Sequence, residues 1–379
     1  MSKTVIFCAD GTWNGPGQDD DKDGLPDPTN VYKLFCGLAG SLSTDSLRQA
    51  DEQEKSDQGQ VAKYINGVGD SRNPIIKMMG GTFGAGIISR IVRGYTFISR
   101  NYEPGKDGVE GGDGIVVVGF SRGAYTARAL AGLIVSQGLL AKHLTHDKEE
   151  AYRWGAKAWY QYRKKAGVAR LAEVVSNLPA FLSRRHLKEN DLVKVHKIKA
   201  VAVWDTVGSL GIPSYVGDER TDAFRFTDTQ LSPIVEKGFH AVALDEQRVD
   251  FTPTLWEPRA HIEQILFPGA HADVGGGYTT TNHESGLSDV ALEWMVEQLK
   301  TAGVQFSQPI YAPFSPDPRG VAHQPWQHWP FNRVGKTKLR EFKGTGIHEH
   351  SAVAARMSAG LVVHEPGEDP ALYAPSNRP

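Results

Sequence analysis

Cysteine is almost missing from this sequence: Cys8 and Cys36 are the only two. Two thiols cannot build a disulfide scaffold or a thiolate zinc site, and Cys8, inside an apolar run, reads as a small core residue. An excess of one charge is missing as well. Lys and Arg number 42 against 44 Asp and Glu, a formal net charge of −2. No basic field exists to hold nucleic acid, so a partner of that kind is not expected. No apolar run approaches the roughly 20 residues a membrane span needs. Met1-Ser2-Lys3-Thr4-Val5 leads straight into a strand, without the charged and then apolar segments of a signal peptide. The expected location is the cytoplasm, or outside it by a route that reads no N-terminal signal. Internal repeats are absent too.

The 379 residues can bury a substantial core and are read as a single domain over residues 1–379. The stretch that organises them is Gly114-Ile115-Val116-Val117-Val118-Gly119-Phe120-Ser121-Arg122-Gly123-Ala124-Tyr125. A β-branched run leads into Gly-x-Ser-x-Gly and then into a segment able to form a helix, the order a nucleophile elbow requires. The serine backbone there is strained, and its neighbours must be small for strand and helix to pack closely. The alternative is a plain glycine-rich turn between strand and helix.

Upstream, Thr4 to Ala9 is a buried-type strand that turns out through Asp10-Gly11-Thr12-Trp13-Asn14. Such a loop can supply an oxyanion-hole amide, with Gly11 and Thr12 the candidates. Asp10 is either functional or a turn residue bonding its own backbone. Asp19-Asp20-Asp21-Lys22-Asp23-Gly24-Leu25-Pro26-Asp27 has the alternate aspartates and glycine of a calcium loop. Asp19, Asp21, Asp23 and Asp27 would be side-chain ligands, together with the Leu25 carbonyl. Asn30 stands where an EF-hand carries its bidentate Glu, so any ion here is structural. Thr29-Asn30 caps a helix, Thr44 to Gly59 reads as a polar loop, and Val61 to Gly69 as a second strand. Asn73 to Tyr102 has helical spacing broken by glycines.

Residues 146–196 are rich in Lys, Arg and aromatics at helical spacing, and read as a helical insertion. It is either a lid over the site or an amphipathic layer on the sheet. Lys197 to Trp204 is the next strand. It ends in Asp205, where a carboxylate that orients a histidine belongs unless Asp205 caps a helix. Phe239 to Arg248 has helical spacing. Glu263 to Phe267 supplies a last strand before Pro268-Gly269-Ala270-His271-Ala272-Asp273-Val274-Gly275-Gly276-Gly277-Tyr278, and His271 is the best-placed base. Ser285 to Asp289 caps a helix over Val290 to Ala302. Residues 305–379 read as a wrapping C-terminal segment, loose from about Glu365 onward. His348 and His350 are badly spaced for a catalytic metal, and catalysis is not expected to need a cofactor.

Ser121, Asp205 and His271 follow the chain order of α/β-hydrolase triads. A serine hydroxyl is too weakly acidic to attack an acyl carbon unaided. A histidine takes its proton and a carboxylate fixes that histidine's tautomer. The Arg122 amide, with Gly11 or Thr12, would hold the oxyanion. Asp10-Gly11-Thr12-Trp13-Asn14, Gly119-Phe120-Ser121-Arg122-Gly123-Ala124, Val203-Trp204-Asp205-Thr206-Val207, His240-Ala241-Val242-Ala243-Leu244-Asp245-Glu246 and the segment Pro268 to Tyr278 stand in order along the chain. Together they resemble an α/β-hydrolase family long catalogued as a domain of unknown function, which includes phospholipase effectors of bacterial type VI secretion systems. The resemblance implies an α/β fold, a mostly parallel sheet flanked by helices. It also implies a serine esterase or lipase acting on a lipid, phospholipid or other small acyl ester, with peripheral membrane contact. Asp273 is the alternative carboxylate, and His350, in a segment resembling a late family motif, the alternative histidine. Competing readings are a non-catalytic binding or effector-accessory module on the same fold, and an amidase or peptidase using the same three residues.

Overall fold

Gly114–Phe120 is apolar, β-branched and buried at every position, the pattern of a strand covered on both faces. Ile115 and Val117 enter one core with Ile91, Leu130 and Trp159, while Val116 and Val118 enter the other with Leu34, Leu292 and Met295. Period-2 alternation therefore sends neighbouring side chains into opposite layers. The structure is a computed structural model that describes residues 2–11, 14–19, 22–46, 51–67, 83–105, 112–165, 186–207, 229–307 and 314–379.

Among the described residues one sheet holds nine strands: β1 (Thr4–Ala9), β2 (Ser41–Leu42), β3 (Glu52–Ser56), β4 (Gln60–Ile65), β5 (Gly114–Phe120), β6 (Ile198–Trp204), β7 (Val235–Ala243), β8 (Ile262–Phe267) and β9 (His348–Glu349). Their spatial order is β9-β8-β7-β6-β5-β1-β4-β3-β2. Every pairing from β9 to β4 is parallel, and β3 and β2 run antiparallel at one edge. The helices are α1 (Asn30–Gly37), α2 (Phe83–Asn101), α3 (Arg122–Gln137), α4 (Lys148–Lys165), α5 (His271–Gly275), α6 (Gly286–Thr301), α7 (Phe331–Val334) and α8 (Ser351–Ser358). Residues of α2, α3 and α4 cover one face and those of α1 and α6 the other. This is the expected α/β architecture with a mostly parallel sheet.

The strand order reverses between β1 and β5, because β4 lies on one side of β1 and β5 on the other. A crevice outside the carboxyl ends of parallel strands at such a switch point is where α/β proteins place ligands. The Asp10 turn leaves β1 there, and Ser121 leaves β5.

Three expectations need correction. Phe239 to Ala243 is not helix but the last half of β7, buried from Gly238 to Ala243. A strand covered on both faces gives a continuous apolar run that periodicity cannot tell from a buried helix. The stretch from Thr44 to Gly59 is not all loop, since Glu52–Ser56 pairs with β4. Only the two-residue β2 lies beyond it, so its charged side chains stand close to the sheet edge, where they discourage pairing with other chains. The end of the chain is not loose: Tyr373 Oη donates to Asp245, Asn377 Nδ2 to the Leu244 carbonyl, and Arg378 to Glu349.

The helical insertion is described only in part. Within it, α4 buries Trp159 and Tyr162 against the layer that also holds α2 and α3. Residues 166–185 lie outside the described residues. At the elbow, a Cβ added to Gly123 would stand 2.1 Å from the Ala9 carbonyl oxygen and 2.5 Å from that of Asp10. Only a bare backbone lets α3 start so close to the end of β1. Gly123→Ala is therefore expected to lower stability by about 1–3 kcal/mol in urea unfolding. Gly17→Ala, whose methyl would meet nothing within 4 Å, is expected to stay within about 0.5 kcal/mol of the parent. Equal stability of the two variants would contradict this packing account.

Candidate active site

Ser121 sits between β5 and α3 with φ 57° and ψ −119°, a left-handed conformation that a non-glycine residue holds only under constraint. The constraint is visible. The Ser121 amide donates to the Trp204 carbonyl at 3.1 Å, and the Tyr125 amide donates to the Ser121 carbonyl at 3.2 Å. A Cβ on Gly119 would strike the Gly123 carbonyl at 2.3 Å, so both elbow glycines are required by contact. Arg122 opens α3 beside the serine, at the positive end of the helix dipole. Its side chain is half-buried, and desolvation lowers its pKa to about 10.

Asp205 follows β6 and is fully buried, with φ 35°. Its carboxylate receives four hydrogen bonds. Oδ2 accepts from His271 Nδ1 at 2.5 Å and Arg340 Nη2 at 2.9 Å; Oδ1 accepts from Arg340 Nη1 at 2.7 Å and the Ala243 amide at 3.0 Å. Four donors fill the four lone-pair positions a carboxylate has. Burial by itself would raise the Asp205 pKa. The Arg340 charge and the hydrogen bonds from His271 and Arg340 outweigh it and hold the carboxyl well below the usual range. An ionised Asp205 can only accept, so His271 Nδ1 carries a proton and Nε2 is left as the basic nitrogen.

His271 begins α5 directly after β8. Its amide donates to Glu246 Oε2 at 3.2 Å, and Glu246 is itself clamped by Arg248 through Nε at 2.9 Å and Nη2 at 2.7 Å. The imidazole lies 4.6 Å from the Phe120 ring centroid, next to Ser121, and 4.9 Å from that of Phe251. Phe251 in turn meets Phe331 edge to face, with Arg248 over both rings. Burial pushes the His271 pKa below the usual imidazole value, although Asp205 pulls the other way. The base is thus neutral, buried and walled by aromatics.

The remaining candidates separate cleanly. Asp273 accepts from the Ala270 amide and from His323, through its amide and Nδ1, so it serves the turn and a second histidine, not His271. His350 stacks on Phe267 and caps α8 by accepting from the Ala352 amide. Asp10 is a buried turn residue that accepts from the Gly11 amide at 2.7 Å, Thr29 Oγ1 at 2.8 Å and Tyr64 Oη at 2.6 Å. Burial raises its pKa to about 6 against those hydrogen bonds. The Gly11 amide, engaged by Asp10, is not available to an oxyanion, which corrects that candidate. Thr12 lies outside the described residues.

In the acidic loop, Asp19 Oδ2 accepts from the Gly24 amide and Asp23 Oδ1 from the Leu25 amide, while the Asp27 amide donates to the Gln18 carbonyl. Asp21 lies outside the described residues. Among the described residues no three His, Cys, Asp or Glu side chains converge to hold a metal ion. Among the described residues no helix is long and apolar enough to cross a membrane.

Sequence reasoning missed Arg340, Phe251 and the pairing of Glu246 with Arg248. A Glu-x-Arg spacing hints at that pair, but nothing in the aperiodic stretch around Arg340 points to Asp205.

A parallel sheet with a strained serine after one strand, a carboxylate after the next and a histidine bonded to that carboxylate define an α/β-hydrolase-type domain. Residues 3–298 match the family described as the catalytic domain of Tle1-like phospholipase effectors of the type VI secretion system. The chain belongs to that family. An uncharacterized protein of Saccharomyces cerevisiae is 29% identical over 280 residues, 70% of this chain and 34% of that protein. A crystal structure of an uncharacterized protein from Pseudomonas aeruginosa aligns at 20% identity with a TM-score of 0.48, covering 83% of this chain and 49% of that one. The structure of the Tle1 effector bound to the VgrG spike aligns at 16% identity with a TM-score of 0.37, covering 74% and 52%. The chain thus spans between 34% and 52% of the length of these relatives.

Asp205→Asn would leave Arg340 buried without its counter-charge, at an expected cost of about 3–5 kcal/mol at neutral pH. The folded carboxyl titrates below its unfolded value, so its stabilisation is full above about pH 4 and fades as pH falls below that. In urea melts the gap between Asp205→Asn and its parent should therefore narrow in acid. A gap that widens there would contradict the assignment.

Proposed function

We propose that this chain is a serine carboxylic-ester hydrolase that cleaves an acyl ester of a lipid or phospholipid through an acyl-enzyme on Ser121. The observation that carries the reading is the strained Ser121 on its elbow, directly after Phe120, whose ring packs at 4.6 Å on an imidazole with its Nδ1 bonded to the buried Asp205. Family membership supports the lipid class.

In this mechanism Ser121 Oγ attacks the ester carbonyl as His271 Nε2 takes its proton. Asp205 keeps the Nδ1 proton in place and stabilises the imidazolium. The oxyanion forms beside the start of α3, where the Arg122 amide is a donor; such a donor contributes roughly 2.7–4 kcal/mol to the transition state. The protonated His271 hands its proton to the leaving alkoxide, and water then releases the acid by the same route.

The test compares wild type with Ser121→Ala on p-nitrophenyl esters of increasing chain length and on phospholipid vesicles. A fluorophosphonate probe reads the nucleophile. Ser121→Ala should lose at least about 10³-fold in kcat/KM and all probe labelling, with an unchanged melting temperature. Wild-type turnover by Ser121→Ala would sink the reading.

A further inference from the structure

Arg340 lies beyond residues 3–298, the part of the chain that matches the catalytic-domain family. It nevertheless donates two hydrogen bonds to Asp205. It reaches the site because residues 336–338 pair with the loop after β7: the Val249 amide donates to the Lys336 carbonyl at 2.9 Å, and the Lys338 amide to the Gln247 carbonyl at 2.8 Å. The guanidinium is then committed on all four Nη hydrogens. Two go to Asp205, one to the Ala243 carbonyl at 2.7 Å and one to the Phe251 carbonyl at 2.5 Å. Ala243 also donates its amide to Asp205, and the Phe251 ring packs on His271. One planar fork thereby sets the carboxylate, the strand end beneath it and the aromatic beside the base.

We propose that Arg340 is a positioning residue of this site: it fixes Asp205 in the rotamer that receives His271, and its charge keeps the pair from taking up a proton as pH falls. The proposal rests on the function read above. The other charged groups facing the pair do not substitute for it. Glu246 and Arg248, after β7, neutralise each other beside the His271 amide. His240, on β7, accepts from the Thr206 amide and is held neutral, its pKa pushed down to about 3 by burial and by Arg128 of α3. Removing the Arg340 cation makes proton uptake by the pair easier whichever partner holds the proton, so the sign of the effect does not depend on a microscopic assignment.

The experiment has two arms. In the first, kcat/KM is measured against pH for wild type, Arg340→Met and Arg340→Lys. Arg340→Met should move the acid limb up by about one pH unit and lower kcat by about 10- to 100-fold, with KM little changed. Arg340→Lys should leave the acid limb in place, because the charge stays, yet lower kcat, because an ammonium cannot form the fork. A merely structural role would lower the melting temperature without moving the limb. An unmoved limb in folded Arg340→Met, or wild-type kcat in Arg340→Lys, overturns the proposal.

The second arm needs no turnover. The His271 imidazole is titrated by histidine ¹⁵N NMR in Ser121→Ala and in the double variants that add Arg340→Met or Arg340→Lys. The midpoint should rise by about one unit with Arg340→Met and stay in place with Arg340→Lys, and an unmoved midpoint in the folded Arg340→Met double variant overturns the proposal. Absence of Ser121-dependent turnover in wild type would instead sink the hydrolase reading, while this titration would still report on Arg340.

Discussion

A carboxylate without access to water is costly unless its lone pairs and its charge are both answered. Asp205 is answered on both counts, by two nitrogens of Arg340, one of His271 and the amide of Ala243. Those partners come from the end of β7, the start of α5 and the C-terminal segment, so one buried charge gathers three separate stretches of chain at the carboxyl edge of the sheet. Its attraction for His271 also decides which imidazole nitrogen is basic. The orientation of the base, the docking of residues 336–340 and the acid tolerance of the fold all trace back to this charge.

The serine is held by a different kind of force. Its left-handed backbone is imposed sterically, by α3 starting so close to β1 and β5 that Gly119 and Gly123 have no room for a Cβ. Nearby, Asp10 spends its hydrogen-bonding capacity on the turn, joining Gly11, Thr29 and Tyr64. It thereby ties the exit of β1 to the start of α1 and to β4. The switch point between β1 and β5 is rigid on both sides, by steric exclusion at the elbow and by hydrogen bonding at the Asp10 turn.

The family match ends at residue 298, whereas the counter-charge of Asp205 stands at position 340. The segment after the match also adds β9 to the sheet edge and anchors itself through Arg356, whose guanidinium donates to the carbonyls of Pro318, Gly320 and Val363. In this protein, then, the carboxylate that bonds His271 receives its counter-charge from beyond the matched region. The aromatic wall joins the same two regions, since Phe251 meets Phe331.

What could be read from residues alone were features encoded locally. The β-branched run before Ser121, the flanking glycines, the strands ending in Asp205 and His271, and the near-neutral charge all declare themselves over a few neighbouring positions, and they carry the α/β class and the chain order of the site. Local signals failed where an element's surroundings decide its state. Phe239 to Ala243 became a strand because both its faces are covered, and Glu52–Ser56 became a strand between β4 and β2 through pairings that no local signal announces. Its place after a strand already favours Asp205 over Asp273, and the folded chain adds that a second histidine, His323, occupies Asp273. Arg340 lies 135 residues from Asp205 in a stretch with no periodicity. Only the folded chain brings that charge to the carboxylate, because electrostatic pairing depends on distance in space and leaves no mark on sequence spacing.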